Sequence, residues 1–220
     1  SSKSLNLNTY YLTGFFLVFT AGILWSFGAV VVRYMTDAGS YQPQYLFYRG
    51  ISIALILCCY LFLREGITFY SNFKKIGISG IIGGFCLASA FTGFIFSITM
   101  TTAAVTLFML AAMPFIAAIV GYLILNEALR KMTLFSMVLA FIGVIIMIIN
   151  DSIEGSAIGA FIGFLSALGF ALYTVTIRWR PETPKFTTVV LAGIFCAFFS
   201  LIIIVLYNKP FVIPPKNIYL

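Results

Sequence analysis

Residues 76–126, IGISGIIGGFCLASAFTGFIFSITMTTAAVTLFMLAAMPFIAAIVGYLILN, run without a single charged side chain. As one α-helix the stretch would be about 75 Å long at the standard rise per residue. That is more than twice the ~30 Å hydrocarbon core that roughly 20 apolar residues cross. The stretch therefore holds two membrane crossings, and the hydroxyl-rich Thr99-Met100-Thr101-Thr102 marks the turn between them. In lipid every backbone N–H and C=O needs an internal partner, so crossings of this apolarity are helices.

Working outward, the whole chain follows the same rule. Of its 220 residues 62% are hydrophobic and 9% charged, where soluble domains carry about 25% charged residues. Too little polar surface exists to face water, so the solvent is lipid. The net charge of +7 does not indicate nucleic acid: the basic residues lie singly and in pairs between apolar runs, without the clustering a basic groove needs. Histidine is absent, which removes the commonest general base and metal ligand. Cys58, Cys59, Cys86 and Cys196 sit inside apolar runs at no metal-ligand spacing and read as buried structural thiols. The first apolar run ends in Arg33 rather than a small-residue cleavage site, so it reads as a crossing and not a signal peptide.

Five further crossings flank the central pair: Gly14–Val32, Tyr45–Leu63, Thr133–Ile149, Gly155–Ile177 and Thr187–Tyr207. Asn208–Leu220, with Pro210, Pro214 and Pro215, reads as a loop. With the N-terminus inside, the inner segments carry Lys3, then Arg64, Lys74 and Lys75, then Arg130 and Lys131, then Arg178, Arg180 and Lys185. The outer loops hold Asp37, Asp151 and Glu154, and only Lys209 and Lys216 run against the bias. Positive residues favour the cytoplasmic side, which sets the expected topology.

Sliding the chain over itself lays Gly14–Arg33 on Gly159–Arg178, with Gly14 on Gly159, Phe16 on Phe161, Phe19 on Phe164, Val30 on Val175, Arg33 on Arg178 and Trp25 on Phe170. The repeating unit would then be five helices. An odd number inverts the second copy, in keeping with the charge bias that puts Arg33 outside and Arg178 inside. Inverted repeats belong to secondary transporters that rock about a central site.

Thr101-Thr102-Ala103-Ala104, then Pro114, then Glu127 just past the fourth crossing and Gly143 in the fifth, with Trp25 and Arg49 upstream, resemble the EamA-like branch of the drug/metabolite transporter superfamily. The resemblance runs from Gly14 to about Tyr207. It implies an all-α integral membrane protein with ten helices in two inverted five-helix repeats, moving amino acids, other metabolites or drugs across the bacterial inner membrane. On that reading residues 14–150 are the first repeat and 155–207 the first two helices of the second. Seven of ten helices would be present, with three more expected after Tyr207.

Arg49, one turn inside its crossing, stands out because a charge there costs about 2.5–3.5 kcal/mol at a helix centre and usually meets a cavity or partner; the alternative is snorkelling to the interface. Arg33 lies four residues before Asp37, at ion-pair spacing. Glu127 is either a proton-carrying carboxylate or a group that caps the next helix or pairs with Arg130 and Lys131. Pro114 removes one backbone hydrogen bond and should bend its helix. Trp25, Phe91, Phe94, Phe108 and Tyr173 are candidates to line an aromatic substrate pathway, Trp25 and Tyr173 foremost because each carries a polar atom. Ser97, Thr101 and Thr102 cluster by the turn, either on the pathway or bonded within it. Gly155, Gly159, Gly163 and Ala167 at four-residue intervals, and Gly80 with Gly84, mark close helix contacts.

No intramembrane acid pair, histidine or metal set is available for hydrolysis, which argues against an enzyme. A retinal-type pigment would need a lysine in Thr187–Tyr207, and there is none. The expectation is a permease for a small molecule in the inner membrane, with lipid around it, no cofactor or nucleic acid, and a homo-oligomer conceivable. A channel or a non-transporting scaffold is the competing class.

Overall fold

The computed structural model describes residues 2–128, 131–149 and 156–211. The described residues form nine α-helices: α1 (Ser2–Tyr34), α2 (Gln42–Glu65), α3 (Phe69–Lys75), α4 (Gly77–Met100), α5 (Ala103–Leu110), α6 (Met113–Leu125), α7 (Lys131–Ile149), α8 (Ala157–Trp179) and α9 (Lys185–Leu206). Among the described residues six stretches are long and apolar enough to cross a membrane: Tyr11–Tyr34, Gln42–Lys75, Gly77–Met100, Ala103–Leu125, Ala157–Trp179 and Lys185–Leu206. The seventh expected crossing falls on α7, whose apolar stretch among the described residues, Lys131–Gly143, is shorter than a full span.

Local chemistry sets the boundaries. The turn inside the uncharged stretch is tight: α4 ends at Met100, and Thr102, in extended backbone, accepts a bond from the Val105 N–H at 3.2 Å to cap α5. The next break falls where Pro114 stands. Its nitrogen has no hydrogen to donate one turn back, and its ring crowds the preceding carbonyl. The chain accordingly leaves α-helix at Ala111–Ala112 and restarts as α6, with the proline in the first turn. Gly66 and Gly77, at φ +61° and +58°, bracket the short segment containing α3; positive φ is cheap only for glycine. Asn126 closes α6 in the left-handed conformation at φ 52°. The expected Arg33–Asp37 pair requires helix through Asp37, but α1 stops at Tyr34 and Asp37 lies at φ 51°.

α1 belongs to one compact unit, residues up to Ala38, and the helices from α2 onward to another that begins at Gly39. In the second unit α4 is the innermost helix, with 56% of its span buried against 11% for the α5–α6 span. It packs on α8 and α9, while α2 lies along α9 and α5 and α6 lie along α8. Lipid tails are as apolar as leucine, so helices here associate through close packing and hydrogen bonds rather than exclusion from water. Glycines mark the closest crossings. A Cβ on Gly50 would stand 2.5 Å from the Gly193 carbonyl oxygen, and one on Gly193 would stand 2.7 Å from that of Gly50. A Cβ on Gly169 would stand 2.7 Å from the Cys86 carbonyl oxygen. Of the stripes singled out in the sequence, Gly159 faces Met100 and Thr101, Gly163 faces Ser97 and Met109, and Gly84 faces Leu191. Gly80 meets Ile76 and Thr183. Gly155 lies outside the described residues. Buried hydroxyls turn to carbonyls: Ser166 donates to the Ala90 oxygen at 2.7 Å, joining α8 to α4.

Gly193→Val should lower stability by about 1–3 kcal/mol through overpacking against the α2 backbone. Gly143→Ala, where a Cβ would meet nothing within 4 Å, should leave it unchanged. Thermal unfolding in detergent compares the two, and equal midpoints would mean the α2–α9 crossing is not close-packed.

Candidate functional site

Arg178 lies in the last turn of α8 and Glu127 just beyond α6, and the fold brings them together from 51 positions apart. The construction begins at the end of α6. Left-handed Asn126 turns the chain so that the Glu127 N–H returns to the Gly121 carbonyl oxygen at 3.4 Å. The Glu127 carboxylate then accepts from Arg178 Nη1 in a short ion pair, while Arg178 Nη2 donates to the Ala117 carbonyl oxygen at 3.4 Å. Gly121 makes the room: a Cβ there would stand 3.2 Å from both Arg178 Nη2 and Glu127 Oε2. A guanidinium at the carboxyl end of α6 also meets the negative end of that helix's dipole. Glu127 thus does not turn to its neighbour Lys131; its described partner is on α8.

The pair lies on the wall of a cavity of about 650 Å³, within the size range of small-molecule sites. Pro114, Ala117 and Ala118 of α6 form one side, Thr133 and Met137 of α7 a second, and Thr174 and Arg178 of α8 the third. Pro114 ends the regular helix at this wall. Thr174 is one turn before Arg178 on the same face of α8. The result is an apolar cleft with one cation, one anion and two hydroxyls.

Arg49 occupies a second locus. Its guanidinium lies over the Phe91 ring, 4.9 Å from the centroid, and Phe91 meets Phe170 edge to face at 5.9 Å. A cation followed by two rings therefore crosses α2, α4 and α8. Such cation–π contact contributes about 0.5–1 kcal/mol where the guanidinium keeps part of its hydration. Among the described residues no carboxylate comes within ion-pairing distance of Arg49.

The remaining sequence candidates do not converge on either place. Phe94 is buried in the α4 core. Phe108 packs on Phe141 at 5.7 Å, and the Tyr173 ring borders Gly83. The Thr101 hydroxyl is buried without a partner among the described residues, while Ser97 bonds Thr106 at 2.9 Å. Trp25 belongs to α1 and its separate unit. Sequence reasoning counted Arg178 only as an orienting charge. Its alignment with Arg33 in the internal repeat was the available signal that it is more than that.

Fold and site together define a multi-pass α-helical membrane protein with a charged cleft between helices. The chain matches the EamA-like transporter family over residues 12–149, more than half its length, and it belongs to that family. It is 28% identical over 188 residues to a protein of Helicobacter pylori described as an uncharacterized transporter; the match covers 84% of this chain and 61% of the relative. The chain thus spans less than two thirds of the curated relative it matches. No solved structure matches it significantly.

The ion pair is 40% and 43% exposed at its two side chains, and pairs this open contribute at most about 1 kcal/mol. Glu127→Ala should therefore shift unfolding by less than about 1 kcal/mol in a detergent denaturation series. A loss of several kcal/mol would make the pair a structural staple.

Proposed function

We propose that this chain carries the pathway of a secondary transporter, a permease that moves a small metabolite such as an amino acid or drug-like compound across the cytoplasmic membrane. It works by alternating access, with the N-terminus on the cytoplasmic side. The observation that carries the reading is the Glu127–Arg178 pair, which ties the segment that ends the fourth crossing to the end of α8, across the edge of the cleft. Family membership and the transporter-named relative support it.

The chemistry fits a moving part. An ion pair with half-exposed ends contributes little to stability, yet it can exchange partners at low cost, and that is what a gate between two bodies requires. In the inverted-repeat reading, Glu127 follows the fourth helix of the first repeat and Arg178 ends the first helix of the second. The pair then spans the two bodies that rock. With it closed, α6 and α8 are held together at the end of the cleft; with it open, α6 is free to part from α8, which stays packed on α4. Arg49, held by a ring and no described carboxylate, is the cation left available to a passing anionic group. The Phe91 ring beside it, backed by the buried Phe170, suits an apolar or aromatic body.

Full-length protein reconstituted into vesicles and screened for counterflow with a panel of labelled metabolites tests this. Glu127→Gln and Arg178→Ala should each reduce flux at least about tenfold, equivalent to ~1.4 kcal/mol on the limiting barrier, with membrane insertion intact. The exchange Glu127→Arg with Arg178→Glu should recover part of it. Arg49→Ala should also lower flux without affecting insertion. Wild-type flux in both single gate variants would remove the gate, and normal flux in Arg49→Ala would leave that residue an interface anchor.

A further inference from the structure

A second cavity, of about 310 Å³, lies in the second unit where the end of α2, α3 and the start of α9 meet. It has space for roughly ten waters at ~30 Å³ each. Unlike the cleft, it is lined mainly by charge: Glu65 and Lys75, Glu182 and Lys185, with Asn72 and Thr187 between them. Asn72 Nδ2 donates to Glu65 Oε2 at 2.5 Å. Among the described residues neither lysine forms an ion pair with either carboxylate. Two ammonium groups and two carboxylates thus face one space without cancelling each other by contact.

Two independent features point to an anion inside it. The first is the start of α9, where Pro184 occupies the N-cap position and no side chain caps the helix. The first-turn N–H groups of a helix have no intrahelical acceptors, and with the positive end of the dipole they form an anion site. The second is Thr187, in that same first turn. It is 1% exposed, it lines the cavity, and its hydroxyl has no hydrogen-bond partner among the described residues. A buried hydroxyl left unpaired costs about 1–3 kcal/mol. Its neighbour Thr188 donates to the Pro184 carbonyl oxygen four residues back at 2.9 Å, whereas the residue four before Thr187 lies ahead of the helix.

The carboxylates decide the class of ligand. A purely anionic group at Lys75, Lys185 and the α9 amides would also face Glu65 and Glu182. A purely cationic one would face both lysines. A zwitterion carrying a phosphate beside an ammonium satisfies both sets. The surroundings decide its source. α3 exposes Tyr70 beside Lys74 and Lys75, with Phe69 and Phe73 turned into the core, a mixture of aromatic and basic residues found at the headgroup level of a bilayer. It also lies between the ends of two spanning helices.

We propose that this cavity is a binding site for the phosphoethanolamine headgroup of a bilayer phospholipid. The phosphate is held by the start of α9 with Thr187, Lys75 and Lys185, and the ammonium by Glu65 and Glu182.

Delipidated full-length protein, titrated in detergent with phosphatidylethanolamine or phosphatidylglycerol and read by native mass spectrometry, tests the site. Phosphatidylethanolamine should bind at least about tenfold tighter than phosphatidylglycerol, which lacks the ammonium. The Lys75→Ala/Lys185→Ala variant should lose at least about tenfold of that affinity. Thr187→Val, close in shape and relieved of the unpaired hydroxyl, should lose several-fold of that affinity while melting no lower than the parent without lipid. Equal binding of the two lipids, or unchanged binding in both variants, would overturn the proposal. Binding of soluble glycerophosphoethanolamine as tightly as the lipid would overturn the assignment to the bilayer.

Discussion

Helices in lipid gain nothing from hiding apolar surface from one another, so their association depends on how closely the backbones can come. The second unit depends on that constraint at every crossing of α4, α8 and α9. Gly50 and Gly193 present carbonyl oxygens to each other's α-carbons, and Gly169 lies over the Cys86 carbonyl. At such distances the serine and threonine hydroxyls reach carbonyls across or within the helices, as Ser166 does at Ala90 and Ser200 at Cys196. Close approach and polar satisfaction are thus one solution.

That packed centre determines where the charges can go. Arg49, near the start of α2 and partly exposed, lies against the Phe91 ring. The Glu127–Arg178 pair sits at the end of the little-enclosed α5–α6 span, at an edge where both side chains keep part of their hydration. A charge pair there can form and break without the desolvation penalty of a buried one, whereas Ser166 on the α4–α8 seam has no such freedom.

Much of the architecture was legible in the residues. The uncharged run demanded two crossings because of the thickness of a bilayer, and the hydroxyls at Thr101 and Thr102 marked their turn because threonine caps helices. Pro114 announced the break between α5 and α6 for want of an N–H. The glycine stripes of α4 and α8 were visible as spacing, but not which helices they meet: Gly84 turned out to face α9 and Gly159 the end of α4. The Gly50–Gly193 crossing carried no local signal, since each is a lone glycine whose role exists only opposite the other. The aromatic candidates show the converse. Phe91, Phe94, Phe108 and Tyr173 share a composition but went to four different surroundings, because helix rotation separates residues that sequence places together.

The sequence by itself determined the solvent, the helical class, the approximate ends of each crossing and the family, since these follow from hydrophobic length, backbone satisfaction and motifs local in the chain. Only the tertiary structure decided partners. Glu127 stands beside Arg130 and Lys131 in the sequence, yet its described ion pair is with Arg178, because left-handed Asn126 turns it back along α6 to the glycine gap where α8 passes. A charge in a chain announces a need for a partner; which partner answers depends on the direction the backbone gives it and on the helix packed opposite.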